Sequence, residues 1–173
     1  MLPLRNVALA LVAGVLPLAL PTIACAATTV TVSLWDKGDH AMDMLDQAMP
    51  MGMGMMRKMM LSGEMKMGPM GITASQSEIP AGEVTFTVTN ESGAMIHEMV
   101  LAPVTDAAAS LPYIADEKRV DEEAAGHLGE VADLEPGKAG ALTVTLEPGS
   151  YLLFCNIPGH YALGMWTLIT VTP

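Results

Sequence analysis

All-β, a sandwich or a barrel, is the fold class this sequence predicts. Residues 28–35 and 83–90 alternate polar and apolar side chains at period two and are rich in Thr and Val, as strands with one buried face are. Turn signals built on Gly and Pro separate the apolar runs, at Ile79-Pro80-Ala81-Gly82, Glu135-Pro136-Gly137 and Glu147-Pro148-Gly149. Short strands parted by such turns bury their apolar faces by closing two layers of sheet over one core.

The elements follow in order. Residues 1–26 read as an export leader: Arg5 is the positive start, Val7 to Leu20 is apolar, and small residues follow at Ala24, Cys25, Ala26 and Ala27. That apolar run, interrupted by Gly14 and Pro17, is shorter than the ~20 residues a spanning helix needs, so cleavage after Ala26 is expected and an uncleaved anchor is the alternative. Thr22-Ile23-Ala24-Cys25 also resembles a lipoprotein box, which would lipidate Cys25 and tether the chain to a membrane. The usual Leu is missing from its first position, and Ala24-x-Ala26 fits ordinary cleavage. Residues 27–173 are then expected to form a single domain.

Thr28 to Trp35 is the first strand, broken by Asp36-Lys37-Gly38-Asp39. From Met42 to Met70, twelve of 29 residues are Met, within an insert spanning 41–70. Met favours helix, but Pro50, Gly52 and Gly54 interrupt the middle, which predicts a short helix on either side of a turn. Gly71 to Ser75 is a short strand and Glu83 to Asn90 a longer one; Glu91-Ser92-Gly93 then turns into the strand carrying His97. Residues 103–128, rich in Ala, Asp and Glu, predict a loop with a helical turn or two. Val131 to Leu134, Ala141 to Leu146, Ser150 to Cys155 and Trp166 to Thr172 complete the strands.

The 173 residues carry a formal charge of −11, and losing Arg5 with the leader makes it −12, which excludes nucleic acid as a partner because binding it requires a basic surface. Between Asp116 and Glu135 eight acidic residues face only Lys118 and Arg119. Such a run is a solvated face or a patch that steers encounter with a basic redox partner. Without the leader Cys155 is the lone cysteine. A free thiol is a liability after export, resolved by metal ligation or by burial as an inert apolar group.

The chemistry-bearing stretch is Cys155-Asn156-Ile157-Pro158-Gly159-His160-Tyr161-Ala162-Leu163-Gly164-Met165. It spaces a thiolate, an imidazole and a thioether at five and five, and a second imidazole, His97, lies upstream in the apolar run Ala94 to Leu101. Cys and two His in a plane with a weak axial Met form the ligand set of a blue-copper site, where soft sulfur suits Cu(I) and imidazole suits either oxidation state. Zinc has no use for the axial thioether. His40 and His127 have no such context and are expected at the surface; Asp36, Asp39 and His40 are a weak metal-binding alternative to a plain Asp-rich turn.

With these ligands on strands and turns, the chain resembles a cupredoxin, a single-domain type 1 blue-copper protein, over roughly Thr28 to Pro173 apart from the Met-rich insert and the loop after Pro103. The residues that carry the resemblance are Pro80-Ala81-Gly82-Glu83, Val88-Thr89-Asn90 leading to His97, Pro148-Gly149-Ser150-Tyr151 and the closing Cys-x4-His-x4-Met, whose spacing is similar to the rusticyanin and auracyanin branch. The resemblance implies a Greek-key β-sandwich of about seven or eight strands, with one copper held by His97, Cys155 and His160 in the plane and Met165 on the axis. It also implies an apolar collar of Tyr161, Leu163 and Trp166. Many members carry Asn after the upstream His, where its side chain helps pin the ligand loops; here Glu98 stands there, leaving its backbone N–H to reach the Cys155 sulfur.

A second array remains. Met42-x-Met44, Met49-x-Met51-x-Met53-x-Met55 and Met65-x-Met67 resemble the thioether arrays of exported copper-handling proteins, and thioethers select Cu(I). Adaptable apolar packing is the alternative, though a packed stripe keeps one helical period and this spacing does not. Two functions follow. One is an exported, periplasmic electron carrier, not an enzyme; the other is a copper-delivery or copper-tolerance protein using the Met array. Multicopper-enzyme chemistry needs further His-rich centres than four histidines provide.

Overall fold

The computed structural model describes residues 27–38, 40–45, 55, 58–59, 61–63, 68–105 and 110–173. The expected leader and most of the Met-rich insert lie outside the described residues. Of that insert, Ala41–Met44 forms a 3₁₀ turn, while Met55, Lys58, Met59 and Leu61 are helical.

Strand β1 (Thr28–Asp36) pairs antiparallel with β2 (Met70–Ala74) and parallel with β4 (Gly82–Asn90), and β4 pairs antiparallel with β9 (Ala139–Leu146). The order of this sheet is β2-β1-β4-β9. The second sheet contains β3 (Glu78–Pro80), β11 (Trp166–Thr172), β10 (Gly149–Phe154), β5 (His97–Val104) and β8 (Gly129–Leu134), in that order. Side chains two apart share a face. Val30, Val32 and Leu34 of β1 and Val84, Phe86 and Val88 of β4 therefore meet Met99, Leu101, Leu153, Ile169 and Val171 of the facing sheet in one core.

β5 is buried along both faces. Met99 and Leu101 enter the main core, while Val100 and Ala102 pack with Leu111, Val120, Leu152, Phe154 and Tyr161 in a second cluster. The second cluster lies beneath the excursion after Val104, which forms a two-stranded hairpin, β6 (Tyr113–Ile114) with β7 (Arg119–Val120), and a one-turn helix α1 (Glu122–Ala125). Asp121 caps that turn by accepting the Ala124 N–H, and Gly126 ends it with φ 67°.

Among the described residues, eleven strands stand where about seven or eight were expected. The excess is in β3, β6 and β7, each of two or three residues and too short to show an alternation. The turn expected over 79–82 begins later, because Glu78–Pro80 pairs in parallel with β11 at the sheet edge, where proline's missing N–H costs no ladder bond.

Candidate metal centre

The inward faces turn polar at one end of the sandwich. Asp36 continues the inward phase of Val30, Val32 and Leu34, Asn90 that of Val84, Phe86 and Val88, and His97 that of Met99 and Leu101. Cys155 likewise continues Tyr151 and Leu153, one residue past β10. Of the four residues expected as ligands, three converge: the Nδ1 atoms of His97 and His160 are 3.2 Å apart, and Cys155 Sγ lies 3.3 Å from His160 Nδ1 and 4.0 Å from His97 Nδ1. Met165 is fully buried at the end of the same loop, its carbonyl accepting the Cys155 N–H at 3.0 Å and its own N–H donating to the His160 carbonyl at 3.1 Å.

Local sequence builds this loop. Gly159 at φ 86° and Gly164 at φ 92° take left-handed conformations that bend the chain twice between Cys155 and Met165. Tyr161, Ala162 and Leu163 are buried between the bends and Trp166 is half-buried; Tyr161 and Trp166 pack in the second cluster, Ala162 and Leu163 in the main core. A Cβ on Gly159 would lie 2.8 Å from Leu45 Cδ2 and 3.1 Å from Met42 Cε; the start of the Met-rich stretch is therefore seated on the ligand loop. At the other end of the insert, the backbone of Gly68 packs against the carbonyl of Leu163. His160 is only 3 % exposed beneath these segments.

The donor set fits a metal ion. A triangle with the three observed sides has a centre about 2.1 Å from every donor, which is a metal–imidazole bond length and slightly short of a metal–thiolate one. His97 Nε2 is 2.9 Å from Asp36 Oδ2, so the proton sits on Nε2 and leaves the Nδ1 lone pair facing the sulfur. Burial raises the Asp36 carboxyl, but hydrogen bonds from Ser92, His97 and Gly38 outweigh it and hold the group below its ordinary value. Burial lowers His97 and only part of that is returned by Asp36, so the pair is a carboxylate against a neutral imidazole. His160 is pushed down to about 4, by burial first and then by His97. Burial likewise pushes the Cys155 thiol up to about 12, although the backbone amides of Glu98 and Ile157 favour its thiolate. A cation at the centre would draw on both Nδ1 atoms and would favour the thiolate that burial otherwise opposes.

Glu98 behaves as its backbone allows. β5 and β10 stop pairing at Val100 and Phe154, so the Glu98 N–H beyond that pair is free to donate to Cys155 Sγ, at 3.5 Å. Opposite it β8 bulges: Ala132 and Asp133, the latter at φ 46°, stand against this one residue. The Glu98 side chain is buried, and its Oε1 has no hydrogen-bond partner among the described residues.

Two asparagines hold the loops instead, and sequence reasoning missed both. Asn90 Nδ2 donates to the carbonyls of Met95, at 2.8 Å, and Leu134, at 2.7 Å. Asn156 Oδ1 accepts the Val120 N–H at 2.6 Å, and its Nδ2 donates to Val120 O at 3.0 Å and Glu122 Oε1 at 2.6 Å. Asp36 was missed as a partner of His97, yet its inward phase in β1 was a usable signal. The weaker expectation of a metal at Asp36, Asp39 and His40 is not met among the described residues. Asp36 faces His97, His40 is exposed and pairs with Asp43, and Asp39 lies outside the description. His127 is exposed as expected.

The model of the copper binding proteins of the plastocyanin/azurin family matches residues 56–172. The chain belongs to that family. Its members are electron-transfer proteins rather than enzymes, and their cofactor is one copper ion. Auracyanin-B of Chloroflexus aurantiacus is 47% identical over 47 residues, which are 27% of this cupredoxin and 20% of the auracyanin; the match thus spans about a fifth of that relative. Rusticyanin of Thiobacillus ferrooxidans shares the fold at 17% identity, with a TM-score of 0.54 over 86% of this chain and 79% of its own. An auracyanin of Roseiflexus castenholzii aligns at 27% identity over 58% of this chain and 88% of that one, with a TM-score of 0.46. Among the described residues, no helix of this cupredoxin is long and apolar enough to cross a membrane.

Proposed function

We propose that this chain is a type 1 blue-copper electron carrier in which His97, Cys155, His160 and Met165 would hold the copper. The observation that carries the proposal is the convergence of two imidazole nitrogens and one buried sulfur at the end of a cupredoxin sandwich. Copper, when bound, supplies the one-electron couple. The protein's part is to hold the donors in one geometry for both oxidation states: His97 on strand β5, Cys155 one residue past β10, His160 between the bends at Gly159 and Gly164, and Met165 directly after the second bend. The buried Tyr161, Ala162 and Leu163 would keep water from the ion, which penalises the more highly charged Cu(II) state and so raises the reduction potential.

Titrating the protein with Cu(II) and recording visible absorption tests this. An intense thiolate-to-copper band saturating at one equivalent and lost in Cys155→Ser is expected. A band that survives that substitution refutes the ligand assignment.

The rest of the proposal concerns the cell. Residues 1–26 act as a cleaved leader delivering 27–173 to the periplasm as one domain, soluble unless Cys25 is lipidated. A redox-partner protein docks near the ligand loop or the acidic 116–135 segment, six of whose acidic side chains are exposed. A copper-handling role is the second reading, favoured by Met42 resting against Gly159. In it, Met42, Met44, Met49, Met51, Met53, Met55, Met65 and Met67 gather Cu(I). Replacing Met49, Met51, Met53 and Met55 by Leu should then lower Cu(I) stoichiometry in a chelator competition while the blue band persists; unchanged stoichiometry rules that role out.

A further inference from the structure

Asp36 does not belong to the ligand set, yet it is the most elaborately held carboxylate among the described residues. Its side chain is 2 % exposed, in a sheet whose neighbouring inward residues are Leu34 and Asn90. Oδ2 lies 2.9 Å from His97 Nε2, and Oδ1 accepts the Gly38 N–H at 2.7 Å. Ser92, whose hydroxyl oxygen accepts the N–H groups of Ala94 and Met95, also favours the ionised form of this carboxylate. Ser92 is itself fixed, because its N–H donates to Asn90 Oδ1 at 2.9 Å. A buried negative charge thus sits one imidazole away from the centre of the donor triangle, tied to β1, to the turn after it and to the Asn90–Ser92 turn.

We infer that Asp36 is the positioning residue of this metal centre: it selects the His97 tautomer that presents Nδ1 to copper, and its charge favours Cu(II) over Cu(I). The inference rests on the blue-copper assignment above. The tautomer argument is one of proton inventory. An ionised carboxylate only accepts, so the proton between the two groups belongs to Nε2, and a neutral imidazole then has its lone pair on Nδ1. The charge argument is Coulombic: a fixed anion close to the metal stabilises the more positive oxidation state and lowers the reduction potential, and little water is present to screen it. A carboxylate behind a metal-bound imidazole also raises the basicity of the ligand, which acts in the same direction.

Two substitutions separate these effects. Asp36→Asn keeps an acceptor for Nε2–H and removes the charge; Asp36→Ala removes both. In the copper-loaded protein, Asp36→Asn should keep the blue band and shift the Cu(I):Cu(II) ratio at fixed potential at least tenfold towards Cu(I), a rise of 59 mV or more. Asp36→Ala should in addition weaken Cu(II) binding by ~10–100-fold. In the metal-free native protein, nitrogen-15 spectra of labelled histidine should place the His97 proton on Nε2, a measurement that needs neither copper nor a variant. A proton on Nδ1 overturns the inference, and so does Asp36→Asn with a normal blue band and an unmoved potential. The absence of any blue band in the native protein instead refutes the assignment on which the inference stands.

Discussion

Asn156 stands beside the expected thiolate ligand yet spends its side chain elsewhere, and removing it gives a quantitative test of how the ligand loop is held. Asn156→Ala deletes three hydrogen bonds at 2.6, 3.0 and 2.6 Å from a side chain that is 2 % exposed. It also strands the N–H and carbonyl of Val120, a residue buried in the second cluster. A buried backbone group without a partner costs about 1–3 kcal/mol, and some water reaches the vacated site, so a loss of about 3–4 kcal/mol is expected. For a chain of this size that corresponds to a fall of roughly 10 °C in Tm. The assay is thermal unfolding of the copper-loaded protein by near-ultraviolet circular dichroism, with visible absorption recorded alongside. The blue band should persist at low temperature, because Asn156 is no ligand, and amide exchange should quicken over 113–125. Asp at this position keeps the acceptor for Val120 N–H but sets two carboxylates against each other where Glu122 now accepts. It should therefore destabilise about as much as Ala, and Glu122→Gln should restore part of the loss. An Asn156→Ala protein within 1 kcal/mol of the native one, judged against the ~3 kcal/mol expected for orphaned groups, would refute the clasp.

Other perturbations address the loop, the buried acid and the metal. Gly159→Ala places a Cβ at a left-handed φ and against Leu45, so it should cost about 1–3 kcal/mol; Leu45→Ala in the same chain should relieve the overlap, giving a double-mutant coupling of at least ~0.5 kcal/mol by denaturant unfolding. Glu98 is pushed up to about 7 by burial first, then by Glu122, Glu130 and Asp133, with Arg119 opposing. A raised carboxyl penalises the fold as it ionises, so the metal-free protein should lose stability as pH rises from about 4.5 to 7. Glu98→Gln should flatten that slope and be more stable above pH 7 by up to roughly 3 kcal/mol in urea titrations; an unchanged slope would contradict it. Copper present at about a thousand times its dissociation constant should stabilise the native chain by ~4 kcal/mol and Cys155→Ser far less, as read by Tm with and without metal.

Much of this centre was legible before any coordinates. β1 and β4 announce themselves by alternation, and Cys155 and His160 lie five residues apart, so one loop brings that pair together. His97 was legible through its apolar run and the family spacing. What escaped depends on tertiary pairing. Asn156 is committed to Val120 and Glu122, more than thirty residues away, and no local pattern connects them. β3 exists only because β11 runs alongside it in parallel. The small β6–β7 hairpin is held over the second cluster, where two-residue strands carry no period. Asp36 is the instructive case: it looked like the first residue of a turn, although counting in twos from Val30 puts it on the buried face.

The two-sided burial of β5 bears on how a bound ion would leave. A strand walled by apolar packing on both faces has no cheap partial opening, since detaching it disrupts both clusters at once. The loop from Cys155 to Met165 is similarly sealed, by Leu45 and Met42 on one side and by the Lys118 carbonyl, which accepts the Gly159 N–H at 2.8 Å, on another. Metal exchange should then follow the global unfolding rate instead of a local breathing rate. Copper would behave kinetically as part of the core, resident for the lifetime of the fold and beyond the reach of chelators that attack only exposed sites.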